Sequence, residues 1–239
     1  MKSRSTKTVS IFKDKSFRFT VMLGLLLASI IIILALSIGD EAGNFVVQVE
    51  SGNVTKTLSI TENLEDQDSL TDRIVTQGIK NISDNAPQLF MPNGLDDVKE
   101  MVKKPGVNLE YRDLYIYTFY VVNTCNQDIN IQFDMKITSV YNNLDKAIRI
   151  MTYNETTESL NIYQAEDEIE KDYVHYKYQP TLFVDDKTAY NETCILRSNE
   201  EENHYIKYSV FIWIEGEDPE CNDDLYLGAI KLQLDVNVL

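Results

Sequence analysis

Between Phe19 and Gly39 the chain carries no charged residue, and the 18 positions from Val21 to Ile38 are dominated by Leu, Ile, Val, Met and Ala. A helix needs about 20 apolar residues to cross a bilayer with every backbone group satisfied internally. A run of this kind therefore predicts a membrane-directed helix over residues 19–39. The flanks set its direction. Residues 1–18 hold Lys2, Arg4, Lys7, Lys13, Lys15 and Arg18 against Asp14 alone, whereas Asp40 and Glu41 follow the run directly. The positive-inside rule keeps the basic tail in the cytoplasm and places residues 40–239 on the far side of the membrane. Two outcomes stay open: a retained signal anchor, giving a single-pass membrane protein, or cleavage after Ser37 in Ala35-Leu36-Ser37, giving a secreted one. The length of the run favours retention.

Charge narrows the partners. Beyond residue 18, 16 basic and 37 acidic side chains leave about −21. A field of that sign repels nucleic acid and excludes it as a partner. Membrane contact is expected through residues 19–39, with a further copy of the chain or a surface protein as other candidates.

Period-two alternation governs the exported part. Ile129, Ile131, Phe133, Met135 and Ile137 alternate with polar residues, as do Ile230, Leu232, Leu234, Val236 and Val238. Such alternation suits antiparallel sheets with one wet face. His204–Ile214 differs, because Tyr205, Phe211 and Trp213 occupy the face opposite Ile206, Tyr208, Val210, Ile212 and Ile214. That strand is expected to be central and covered on both sides. Shorter candidates are Phe45–Val49, Val54–Ile60, Leu114–Asn123, Ala147–Tyr153, Leu160–Tyr163 and Thr181–Val184, with one short helix over Leu95–Lys103. Roughly nine strands predict an all-β fold, an antiparallel β-sandwich of jelly-roll or Greek-key style. Residues 61–92 read as a polar surface insertion and 164–180 as a charged loop.

Catalytic patterns are poor. His175 and His204 lie in no zinc spacing, and neither a Gly-x-Ser-x-Gly elbow nor a phosphate loop occurs. The chain is therefore read as a non-enzyme. The rival reading, a metallopeptidase-like hydrolase, would draw its metal from acidic loops together with His204 or His175. The loop from Glu215 to Asp224 is read first as solvated. Its alternative is a hard cation such as calcium, held by Glu217, Asp218, Asp223 and Asp224. Of the three cysteines, Cys194 and Cys221 are the preferred disulfide pair, flanking one strand and its exit loop, at about 3 kcal/mol in the chain-entropy model. Three unpaired thiols are the alternative. Asn-x-Ser/Thr sequons fall at Asn53, Asn81, Asn154 and Asn191. Tyr173, His175, Tyr176 and Tyr178 form an interface candidate, should the chain be an accessory ectodomain of a membrane complex.

Phe45-Val46-Val47-Gln48-Val49 follows the apolar run and is β-prone, with Phe45, Val47 and Val49 on one face. It completes its own sheet or adds to a neighbour's by strand donation.

The segment Tyr208-Ser209-Val210-Phe211-Ile212-Trp213-Ile214-Glu215-Gly216-Glu217-Asp218-Pro219-Glu220-Cys221, followed by Gly228-Ala229-Ile230-Lys231-Leu232, resembles exported TasA/camelysin-like β-sandwich surface proteins of Gram-positive bacteria. Tyr117–Thr124 and Ala147–Met151 fit the same pattern, over residues 20–60 and 110–239. The resemblance implies a signal segment, a jelly-roll domain and a structural or adhesive role in surface fibres or biofilm matrix. Some of that group carry a metallopeptidase label, but no histidine motif here matches it. The group's usual signal is cleaved, whereas the long run in this chain favours retention.

Overall fold

A computed structural model describes residues 21–24, 45–50, 57–76, 78–79, 82–83, 85–111, 113–166, 179–201, 203–216, 218, 221–225 and 227–239. The chain divides into Met1–Ala42 and Gly43–Leu239. In the first unit only residues 21–24 are described, and they are helical. The rest of the expected helix at 19–39 lies outside the described residues. Among those described, no helix is long and apolar enough to cross a membrane.

The second unit is built from twelve described strands in two sheets. Sheet A is ordered β10 (Thr188–Leu196), β6 (Ile129–Tyr141), β12 (Ala229–Val238), β1 (Phe45–Glu50), β3 (Arg73–Val75). Sheet B runs β2 (Leu58–Thr61), β5 (Tyr115–Asn123), β11 (Tyr205–Ile214), β7 (Ile148–Asn154), β8 (Ser159–Gln164), β9 (Thr181–Leu182), with β4 (Gly106–Asn108) also on β5. Both sheets are mixed, which corrects the expectation of purely antiparallel pairing. β1 runs parallel to β12, and β9 runs parallel to β8. Parallel neighbours need long crossovers. Here β1 and β12 are separated by most of the chain.

The alternating residues do what their pattern requires. Phe133 and Met135 from β6, Leu234 and Val236 from β12, and Phe45 and Val47 from β1 join Tyr117, Phe119, Tyr208 and Val210 of sheet B in one buried cluster. The sheets therefore face each other across a shared core. β11 is covered on both faces, as its sequence suggests. Phe211 and Trp213 enter a second cluster with Ile116, Met151 and Tyr153. A helical segment lies over that outer face, formed by α1 (Pro87–Phe90) and α2 (Leu95–Met101). Phe90 meets Trp213 edge-on at 5.2 Å. Pro87 suits the first turn of α1, where a missing N–H costs nothing. Gly94, at φ 73°, supplies the left-handed residue that precedes α2.

Two sequence expectations need amendment. Residues 61–92 are not merely an insertion, since Arg73–Val75 pairs with β1 and Ile74 packs against the core. β10, absent from the expected strands, forms an edge of sheet A.

Candidate functional site

The loop that leaves β11 is held from below. Trp213, Arg149 and Gln164 form one row across β11, β7 and β8. Arg149 is only 2% exposed, and its Nη2 lies 2.5 Å from Asp218 Oδ2. Glu215 N–H donates to Ala147 O, Asp218 N–H to Glu215 O, and Cys221 N–H to Asp218 O. A buried guanidinium demands a buried counter-charge, so Asp218 is drawn inward. Asp218 therefore departs from the solvated loop expected of its neighbours. Asp223 is exposed at the start of a 3-10 turn, Asp223–Leu225. Glu217 and the side chain of Asp224 lie outside the described residues. Among the described residues, no three His, Cys, Asp or Glu side chains gather to hold a metal.

The expected Cys194–Cys221 bridge is not formed. Cys194 borders the same groove as Ile206, at the beginning of β11. Cys221 is bonded to Asp218, beyond the end of that strand. Eight residues of extended chain cover about 26 Å, against the 4.4–6.8 Å between Cα atoms that a bridge needs. The two cysteines thus belong to opposite ends of the fold. Burial pushes the Cys194 thiol up to about 11.

His204 is bonded through Nδ1 to Glu201 O at 3.1 Å. His175, with Tyr173, Tyr176 and Tyr178, lies outside the described residues.

Sequence reasoning missed a carboxylate with four donors. Glu192 on β10 accepts through Oε1 from Thr152 Oγ1, Asn161 Nδ2 and Tyr163 OH at 2.7, 3.0 and 2.6 Å. Its Oε2 accepts from Tyr208 OH at 2.8 Å. The donors come from β7, β8 and β11, so one side chain of sheet A ties three strands of sheet B. Burial, with the Glu192 charge beside them, raises the hydroxyl pKa of Tyr163 and Tyr190. Tyr208 is raised by burial first, then by Tyr190 and Glu192.

The outer face of sheet A carries a second polar network. Asp134 and Asp235 are directly paired on β6 and β12. Asp134 accepts from Gln132 and Asn237, and Asp235 from Gln233 and Lys136. Two carboxylates thus share one rung, and Lys136 is bonded to Asp235.

Strand β1 occupies an inner position of sheet A. Phe45 and Val47 are fully buried and Val49 nearly so. Phe45 packs edge-on against Tyr115 and Tyr117 at 6.1 and 5.8 Å. One side of β1 pairs with β12 and the other with β3. Of the sequons, Asn191 is exposed, whereas Asn154 is buried and its Oδ1 accepts from Thr156 and Thr157 N–H. Asn53 and Asn81 lie outside the described residues.

No known family, curated protein or solved structure matches this chain.

Proposed function

We propose that this chain is a non-enzymatic cell-surface protein, tethered through residues 19–39 with residues 40–239 outside, whose role is structural or adhesive. Its two sheets are read as a sandwich of jelly-roll type, in keeping with the resemblance to TasA/camelysin-like proteins. One observation carries the proposal. β1, the first described strand after the apolar run, sits between β12 and β3, and its rungs with β12 join positions as distant as Val47 and Leu234. No short connection ties β1 to β12. An identical strand from an adjacent copy satisfies the same rungs, which is the chemistry of strand donation. Repeated along the surface, that exchange links tethered copies into a fibre-like layer.

The test uses the full-length chain, with its three cysteines replaced by serine. Val46 and Gln233 are paired and lie on the outer side of sheet A. Val46→Cys and Gln233→Cys are combined, copies bearing two different tags are co-expressed, and a short thiol-reactive cross-linker is added. Covalent species containing both tags are expected. Cross-links confined to single copies would overturn strand donation.

A further inference from the structure

β10 ends sheet A on the side opposite β3 and, among the described residues, pairs only with β6. Its free polar groups follow from the ladder. Leu239 N–H donates to Asn130 O. In an antiparallel pair, bonded rungs alternate, so the even-numbered residues of β6 from Asn130 to Lys136 point their backbone groups at β12. The odd-numbered ones point at β10, consistent with the bond from Ile137 N–H to Lys187 O. Through the register Ile131↔Cys194 and Phe133↔Glu192, the even residues of β10 are engaged with β6. The N–H and C=O groups of Asn191, Thr193 and Ile195 therefore lie along the open edge. All three side chains are exposed, Ile195 at 58%.

Proteins usually protect such an edge with charge, proline or a bulge. The irregularity of β10 falls between Thr188 and Tyr190, and from Tyr190 to Leu196 there is no proline, bulge or outward charge. Its single ionisable carboxylate, Glu192, is turned to the interior and saturated by Thr152, Asn161, Tyr163 and Tyr208. In a chain of net charge −16, a nine-residue strand with no outward charge is where two copies can approach. A groove of about 490 Å³ opens beside Thr193–Arg197, with Thr156 and Thr157 on its other side.

We infer that β10 pairs with β10 of a second copy, antiparallel about a two-fold axis through Thr193, to make one continuous sheet from two copies of sheet A. The register follows from elimination. Pairing must join odd residues to odd residues. An axis at Glu192 sets that carboxylate against its own copy and calls on Ala189 O, which already accepts from Val184 N–H. An axis at Cys194 calls on Arg197 O, which already accepts from Asn123. An axis at Thr193 sets Thr193 against Thr193 and Asn191 against Ile195, with every free edge group bonded. Threonine pairs are favourable cross-strand neighbours, and a two-fold interface is self-complementary by construction. This association is independent of any exchange of β1, which lies on the far side of β12 and β6.

The test is sedimentation of the purified full-length chain in mild detergent, with Thr193→Pro as the blocking variant. Thr193 N–H faces outward, so proline there removes no bond within the fold. The wild-type chain is expected to dimerise at concentrations on the order of 10–100 µM. Higher salt should strengthen the dimer, because screening weakens repulsion between two acidic copies. Thr193→Pro and Thr193→Lys should both be monomers with unchanged Trp213 fluorescence. In a background lacking the native cysteines, Thr193→Cys should oxidise to a covalent dimer. A wild-type monomer throughout this range would overturn the inference, as would a dimer that survives both substitutions. Failure of Thr193→Cys to cross-link would overturn the register.

Discussion

Tyr208 of β11 lies flat against Phe133 of β6, ring centroids 4.1 Å apart and planes within 8°. The stack joins the centre of sheet A to the centre of sheet B, and both side chains are buried. Truncating a buried phenylalanine costs about 3–5 kcal/mol in transfer and cavity terms. Phe133→Ala should lower the unfolding free energy measured in urea by that amount, and Phe133→Leu by clearly less. Equal losses would mean that volume at this position does not matter.

Glu192 supplies one carboxylate to four donors. Each buried donor left unsatisfied costs about 1–3 kcal/mol. Glu192→Ala should therefore destabilise the fold more than Glu192→Gln, which retains a carbonyl oxygen for Tyr163, Asn161 and Thr152. Equilibrium unfolding of the two variants checks the order, and equal stability would remove the bridge from the account.

Arg149 and Asp218 form a buried pair. Removing one member of such a pair costs about 3–5 kcal/mol because the other charge stays buried, while replacing both by apolar groups costs far less. Asp218→Leu should be the most damaging change and Arg149→Met should be severe. The double variant should recover part of the loss. A double variant as unstable as the sum of the singles would contradict coupling through charge.

Alkali should unfold the protein cooperatively. Burial raises Tyr115, Tyr117, Tyr163, Tyr190 and Tyr208 above the ordinary value of 10.0, and Cys194 from 9.0 to about 11. The folded state thus holds these protons more tightly than the unfolded chain does. Their contribution is complete below about pH 9, declines once the unfolded values are passed, and is lost as pH rises through the folded ones. Absorbance of ionised tyrosine should rise in two stages, the accessible rings first and the buried set only with loss of circular dichroism. A single smooth titration with the fold intact would refute this.

Strands whose faces differ cleanly were legible in advance. β6, β11 and β12 fall close to their expected positions, and the double covering of β11 followed from Phe211 and Trp213. β10 was hidden because its inward positions include Glu192, a carboxylate that reads as solvent-facing until its four donors converge. Asp218 was misplaced for a related reason. In a run of acidic neighbours nothing marks the one that answers a buried arginine some 70 residues earlier. The β1–β12 pairing was equally obscure, since alternation identifies which residues face inward but not which strand lies alongside, or in which direction.

That pairing has a consequence for how the domain is assembled. Val47 and Leu234 share a rung although almost two hundred residues separate them. Sheet A therefore remains an open template until residue 238 has been delivered, and β6, with β12 due on one side, waits with that face unzipped. Contacts of such long range make for slow closure. During that interval β1, with Phe45, Val47 and Val49, has only the three-residue β3 beside it. The same arrangement that seals the finished domain leaves its first strand, for a time, looking for a berth.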